Sequence, residues 1–345
     1  MPNLKRSKLK DMDNTPIITG LVGCGHLGSI HCSLLNEIAS QNNSITFAGV
    51  YDIEKNKSDN TAQKLGIKSF SSLDELLSEV NTLVIVTPTS THFGIAAAAI
   101  KKNINLFIEK PVTSTGLEAK ELIGLAKNLK AKIQVGHVER FNPALTSLEK
   151  YELNPMFIET HRLAQFNPRG TDVSVIQDLM IHDIDIVLHL VKSPLSKIDA
   201  NGVAVISDTI DIANARLTFK NGCVANLTSS RISLKKMRKM RIFQNNAYIS
   251  IDFLNNKSEV FRLSTKEDEL GSSMSIEIAE DKKLIYEQPG TESENNNPIK
   301  SELISFFDSI KNNSPVKVSL EDAKQAVEVA DEIIKIISGS NNINS

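Results

Sequence analysis

Between Pro16 and Pro143, short apolar runs alternate with amphipathic stretches. The runs are IITGLV (17–22), ITFAGVYD (45–52), TLVIVT (82–87), NLFIEK (105–110) and KIQVGH (132–137). They are rich in β-branched residues and lack polar alternation, as strands buried on both faces of a parallel sheet do. Helix-like stretches separate them at about His26–Ala39, Lys55–Leu65, Ser90–Lys102 and Gly116–Leu129. Strand and helix in alternation predict right-handed βαβ crossovers and a doubly wound parallel sheet.

Beyond Pro155 the pattern changes. A strand is expected at Phe157–Ala164 and a helix at about Gln177–Leu190. A run of strands then follows at Ala200–Ile206, Ile212–Phe219, Val224–Ser230, Met237–Phe243, Ala247–Phe253 and Glu259–Leu263. Turn signals such as Lys220-Asn221-Gly222 and Asn245-Asn246 join them, which makes an antiparallel arrangement. Helices are expected at about Ile299–Lys311 and Glu321–Ile337, with Ser319 and Asp322 as a capping pair for the second. The fold class is therefore α/β: a doubly wound N-terminal sheet, then an α+β domain with an open, mostly antiparallel sheet. The expected division is a disordered 1–15, a first domain over 16–143, a second over 144–337 and a disordered tail over 338–345. The last helix is expected to reach back to the first domain.

A length of 345 residues agrees with two domains and with a core that needs no disulfide or metal. Lys and Arg number 39 against 41 Asp and Glu, a net charge of −2, which argues against a nucleic-acid binder. No apolar run approaches the roughly 20 residues of a membrane span, so no membrane is expected. The polar, basic start has no signal-peptide core. The three cysteines (Cys24, Cys32 and Cys223) suit a reducing compartment, and a cytoplasmic location is expected.

Gly23-Cys24-Gly25-His26-Leu27-Gly28 is a GxGxxG between a strand and a helix, the context that motif needs. Gly23 permits the tight turn, Gly25 lets backbone approach a pyrophosphate, and Gly28 lets helix and strand pack closely. His26 and Leu27 open the helix, whose N-terminus favours phosphate. Asp52 ends the next strand, 24 positions beyond Gly28, where an acid suits the ribose hydroxyls of NAD and repels the 2′-phosphate of NADP. Lys55 and Lys57 keep NADP open as the lesser alternative. Cys24, His26, His31 and Cys32 have the right chemistry for zinc, but a metal there would block the phosphate turn, and none is expected.

Three further segments matter together: Thr87-Pro88-Thr89-Ser90-Thr91-His92, Glu109-Lys110-Pro111, and Asp178 with His182. With the GxGxxG, this set resembles the Gfo/Idh/MocA oxidoreductase family over about Ile17 to Ile337. The resemblance implies an N-terminal Rossmann domain, a nicotinamide cofactor at a domain cleft, and oxidation of a sugar-like carbon. It implies that Lys110 is the active-site lysine and that Asp178 and His182 are its partners. Glu109 and Pro111 would shape the nicotinamide end, with Thr87, Pro88, Thr89 and His92 along the cofactor.

The residue chemistry agrees. Oxidising a secondary alcohol needs a base and a hydride acceptor. His182 suits proton transfer near neutral pH. Asp178 lies one helical turn earlier and can orient the imidazole or hold a hydroxyl. Lys110 can stabilise a developing alkoxide, or act as the base if buried. The residues leave open which of Lys110 and His182 takes the proton.

The segments 135–143 and 169–185 resemble the nucleotide-sugar branch of the family. That implies conversion of UDP-N-acetylglucosamine to its 3-keto form, a coupled aminotransferase, a role in lipid A biosynthesis, and a homodimer or homotetramer formed by open sheets. A diphosphate calls for arginine. Arg140 and Arg169 are the first candidates, with Asn142 beside them and Arg162 and Arg231 behind. The basic stretch Arg231 to Arg241 lacks interleaved aromatics, so a solvated strand face, an oligomer contact or a phosphate rim is expected rather than nucleic acid. Two alternatives stand: a dehydrogenase of a free sugar or polyol such as inositol, and a non-catalytic NAD-binding regulator.

Overall fold

The computed structural model describes residues 16–167, 173–264, 274–279, 282–290 and 297–341. The chain opens with β1 (Ile17–Val22), α1 (His26–Gln41), β2 (Ile45–Tyr51) and α2 (Lys55–Leu65). Next come β3 (Lys68–Ser69), α3 (Leu73–Glu79), β4 (Thr82–Ile85) and α4 (Thr89–Lys101). The first sheet ends with β5 (Asn105–Glu109), α5 (Gly116–Ala126) and β6 (Ile133–Gly136). All six strands run parallel in the order β3-β2-β1-β4-β5-β6. The order reverses between β1 and β4, and a ligand crevice opens at such a switch point. The expected strands and helices are all present here. The sequence pattern misses β3 and α3, which have only two and seven residues. The cap of α3, with the Ser72 hydroxyl accepting from Glu75 N at 3.1 Å, is a short-range signal.

A 3₁₀ turn (Val138–Phe141) and α6 (Pro143–Thr146) lead to β7 (Phe157–Leu163). A π-type turn over Ile176–Met180 runs into α7 (Ile181–Val191). The strands β8 (Leu195–Val203), β9 (Ile212–Phe219), β10 (Val224–Ser230), β11 (Met237–Gln244), β12 (Ala247–Asp252) and β13 (Lys257–Leu263) follow. The hairpin of β14 (Met274–Ala279) and β15 (Lys282–Glu287) precedes α8 (Pro298–Lys311) and α9 (Leu320–Asn341). The nine strands order as β14-β15-β13-β12-β11-β7-β10-β9-β8, antiparallel except for β7 beside β10. Helices α7 and α9 cover one face.

Three expectations need correction. The strand expected at Ala200–Ile206 is β8, five residues earlier: residues 204–211 form a loop, and Asp211 accepts backbone N–H groups from Val205, Ile206 and Ser207. The hairpin β14–β15, at the edge of the second sheet, is absent from the expected strands. Residues 338–341, expected as disordered tail, continue α9, while 342–345 and 1–15 lie outside the described residues. The Ser319 cap is present, its hydroxyl accepting from Asp322 N at 3.1 Å while Ser319 N donates to the Asp322 carboxylate at 3.0 Å.

Both final helices reach the first sheet. Gly116 N donates to Asp331 of α9 at 3.1 Å. Helix α8 buries Leu303, Phe306 and Phe307 in the core that holds Leu21, Val84 and Phe107. The rings of Phe306 and Phe107 lie 6.0 Å apart. The sequence groups α8 with the second domain, whereas its apolar face closes the core of the first. Truncating Phe306 to Ala is expected to destabilise the fold by about 3–5 kcal/mol in denaturant unfolding, because the cavity opens under the parallel sheet.

Candidate active site

The glycine-rich turn joins β1 to α1. Gly23 has φ of +99°, and a Cβ there would lie 2.5 Å from Val86 O. A Cβ on Gly28 would meet Gly23 O at 1.9 Å, so turn and helix touch through bare backbone. A Cβ on Gly25 would meet nothing. Gly25, His26 and Leu27 are exposed, and the start of α1 has no side-chain cap. This open, uncapped N-terminus fits a pyrophosphate. Asp52 sits beside it, accepting from Cys24 N at 2.6 Å and Glu54 N at 2.8 Å. Lone pairs remain on its carboxylate for hydroxyls. The residues thus fit a dinucleotide, with Gly23 to Gly28 at the phosphates and Asp52 at the ribose.

Thr87, Pro88 and Thr89 lie at the end of β4 across the switch point and are at least partly exposed. His92, expected along the cofactor, is instead buried. Its Nδ1 lies 2.9 Å from Pro111 O and its Nε2 2.8 Å from Thr87 O. Burial holds its pKa down against the pull of the two carbonyls; as a neutral ring it donates to one of them and lies in contact with the other. Glu109, expected to shape the nicotinamide end, is buried behind it. It pairs with His31 Nε2 at 2.8 Å and accepts from Lys110 N at 3.1 Å. The Lys110–Pro111 bond is cis.

The structure brings Lys110, Asp178 and His182 together. Lys110 Nζ donates to the backbone carbonyl of Asp178 at 2.8 Å and lies 3.6 Å from its carboxylate. The carboxylate stays partly exposed, with 44% of its side-chain surface accessible, while Lys110 retains 18%. Asp178 lies in the π-type turn, a distortion found often at functional sites. His182 follows on α7. Burial, then the charge of Lys110 and Arg162, hold its imidazole well below its ordinary pKa, so it is neutral and can accept a proton. Its Nδ1 is buried without a hydrogen-bond partner among the described residues.

Expectations at three arginines and one asparagine change. Arg140 is buried and binds Asp185 through two hydrogen bonds, of 2.6 and 2.8 Å. Asn142 is buried too, capping α6 through Ala144 N and donating to Glu139 and Phe253 O. Arg162 is enclosed by Asp183 and Glu139, each at 2.8 Å. Arg231 donates to Val173 O and Ile210 O. All four are buried. Arg169 lies outside the described residues. The sequence pattern does not single out Arg238. It pairs with Arg162 across β11 and β7, has 51% of its side chain exposed, and its charge acts on His182. The signal was strand parity: Arg238 shares a face with the buried Met240 and Ile242, while Lys239 and Arg241 point the other way, to Asp252 and Glu159.

The suspected zinc set does not converge, since His26 is exposed and His31 turns to Glu109. His31 and Glu109 instead cluster with Glu302 of α8, their ligand atoms all within 4.8 Å of one another. Glu302 is fully buried and neither carboxylate oxygen has a partner among the described residues. Two buried carboxylates this close cannot both ionise. Burial and then the Glu109 charge push the Glu302 pKa well above its ordinary value, so Glu302 holds the proton.

Fold and site together define an oxidoreductase of CH–OH groups with an NAD-binding domain. Residues 17–137 match the family model described as "Oxidoreductase family, NAD-binding Rossmann fold", and residues 154–250 match "GFO/IDH/MocA C-terminal domain". The chain belongs to the Gfo/Idh/MocA oxidoreductase family. It is 41% identical over 244 residues to a UDP-N-acetylglucosamine 3-dehydrogenase of Acidithiobacillus ferrooxidans, covering 70% of this chain and 76% of that protein. The solved structure of UDP-N-acetylglucosamine 3-dehydrogenase GnnA from Acidithiobacillus ferrooxidans superimposes with a TM-score of 0.84 at 33% identity, over 94% of this chain and 98% of that one. A myo-inositol 2-dehydrogenase of Thermotoga maritima is 23% identical over 327 residues, 89% of this chain and 92% of that protein. Levoglucosan dehydrogenase in complex with NADH and levoglucosan shares the fold, with a TM-score of 0.80 at 18% identity over 94% of this chain and 98% of that one. Among the described residues no helix is long and apolar enough to cross a membrane.

Two outcomes are expected. Arg140→Met should cost about 3–5 kcal/mol of stability by denaturant unfolding, because it strands the buried Asp185 charge; loss of a mere phosphate ligand would change only KM. For Glu302 the folded state keeps a proton that the unfolded chain releases. That contribution is complete below the ordinary carboxylate range and is lost as pH rises towards the raised folded value. Glu302→Gln should therefore gain stability relative to the parent as pH rises from 5 to 8, read from melting curves across that range.

Proposed function

We propose that the protein oxidises UDP-N-acetylglucosamine to the 3-keto nucleotide sugar. The observation that carries this reading is the Lys110–Asp178–His182 group, held at the end of an NAD-binding sheet in a chain 41% identical to a UDP-N-acetylglucosamine 3-dehydrogenase. His182, neutral and with an unpaired nitrogen, takes the hydroxyl proton. Lys110 stabilises the alkoxide that develops on the same oxygen. Asp178 holds the ammonium in place through its carbonyl and carboxylate. NAD, when bound, supplies the hydride acceptor. Asp52 supports NAD over NADP, and Lys55 and Lys57 are paired with Asp59 and Glu54 rather than free for a 2′-phosphate.

Arg238, exposed on the side of β11 that acts on His182, supports a substrate carrying a diphosphate. The outer face of the second sheet carries a half-buried ladder of Phe157, Phe243, Tyr248, Phe261 and Tyr286, with successive ring centroids 4.8 to 5.7 Å apart. This stripe supports association of two copies through their sheets. An aminotransferase acting on the 3-keto product is the partner this chemistry calls for, since a ketone is what transamination consumes.

The test is NADH absorbance with NAD⁺ and, in parallel, UDP-N-acetylglucosamine, free N-acetylglucosamine and myo-inositol, each with an aminotransferase and glutamate to draw off ketone. NADH should form with the nucleotide sugar alone. Lys110→Met and His182→Ala should each lower kcat by about 10²–10⁴ while NAD still binds. Turnover of myo-inositol or the free sugar instead would replace the substrate, in keeping with the inositol dehydrogenase relative.

A further inference from the structure

His137 is a buried polar side chain that the reaction scheme above leaves unused. It follows β6, where Gly136 opposes Glu109 of β5. His137 and Lys110 therefore leave adjacent parallel strands side by side, at the edge where open α/β sheets bind ligands. His137 is 1% exposed, and neither ring nitrogen has a hydrogen-bond partner among the described residues. Its nearest carboxylate oxygen, Asp185 Oδ2, lies 3.8 Å from Nδ1, beyond hydrogen-bond reach. Both Asp185 oxygens are already engaged by Arg140.

Buried polar groups without partners are rare in folded proteins, and each calls for a reason. A phenylalanine or leucine would fill this position at lower cost. The unpaired Nδ1 of His182 is another such atom, and the Lys110 charge bears on both imidazoles. Unpaired imidazole nitrogens next to the strand end that carries Lys110 call for a ligand with several hydroxyls.

We propose that His137 is a substrate-binding residue, its imidazole exchanging a hydrogen bond with the sugar hydroxyl next to the carbon being oxidised. The proposal rests on the sugar-oxidation reading above and adds the residue that selects the neighbouring hydroxyl. The chemistry suits imidazole. Burial first, against the opposing pull of Asp185, and then Arg140 and Lys110 keep the ring neutral. A neutral ring offers one N–H and one lone pair, and a hydroxyl can meet either. A carboxylate at this position would pair with Lys110, and a cation would repel it.

The experiment compares His137→Phe and His137→Gln with the parent, all as NAD-loaded enzyme. Melting temperature is read without sugar. NAD affinity, kcat and KM are read with UDP-N-acetylglucosamine and with its analogue lacking the hydroxyl at carbon 4. His137→Phe should melt higher than the parent, bind NAD equally and raise KM at least tenfold. His137→Gln, with a donor and an acceptor at its tip, should recover part of that loss. The parent should lose at least tenfold in kcat/KM on the deoxy analogue, and His137→Phe should hardly distinguish the two sugars. An unchanged KM in both variants, or a lower melting temperature for His137→Phe with the deoxy penalty intact, would overturn the proposal and make His137 a structural residue. If the parent turned over no sugar in the panel, the substrate reading would fall. The melting comparison would then decide for His137, a lower value for His137→Phe overturning its role as an unpaired ligand group.

Discussion

The site depends on two buried ion-pair groups that clamp α7 against the end of the parallel sheet. Arg140, from the turn after β6, binds Asp185, and Arg162 of β7 binds Asp183 and Glu139. Asp183 and Asp185 follow His182 within one turn of α7. Each charge is buried, so each is costly without its partner and its partner's position is narrowly defined. The helix bearing Asp178 and His182 is thereby held in register with Lys110, which belongs to the other sheet. Hydrophobic contact alone is non-directional and would not set that alignment.

A second linkage runs beneath the reacting end. Glu109 precedes Lys110, and its carboxylate joins His31 of α1, the helix whose N-terminus faces the phosphates. Gly136 allows this, since a Cβ there would stand 3.1 Å from the Glu109 carboxylate. Glu302 from α8 completes the cluster in its neutral form. Helix α8 thus serves both as core for the first sheet, through Phe306, and as floor for the site. His92 makes the third connection, bridging the loops that carry Thr87 and Pro111. Phosphate helix, lysine turn and cofactor loop are tied to one another before any ligand binds, which is the rigidity that oriented hydride transfer requires.

Much of this was legible in the chain. Buried parallel strands leave unbroken apolar runs, and the GxGxxG marks a place where only glycine fits, as the 1.9 Å approach at Gly28 confirms. Lys110, Asp178 and His182 were legible through family resemblance, and they do meet. The arginines were misread because a guanidinium looks the same in sequence whether it faces a phosphate or a buried carboxylate. Arg140 and Arg162 lie in the right segments, yet their partners are 45 and 21 positions away, on a helix the chain has still to build. The short α3 and the β14–β15 edge were missed because each is brief, seven and six residues, although each carries a period: Leu73, Leu76 and Leu77 in the helix, Met274, Ile276 and Ile278 in the strand.

By itself, then, the sequence determined the two-sheet class and the glycine turn, and resemblance nominated Lys110, Asp178 and His182 as the reacting side chains. The first two rest on local rules: strand and helix periodicity and glycine sterics. Only the tertiary structure decided which charges are spent on each other and which stay exposed. It paired Arg140 with Asp185, placed Arg238 towards His182, took the proton to Glu302 and left His137 without a partner. Those outcomes depend on burial and on distances between residues far apart in the chain, and neither is written in any one segment.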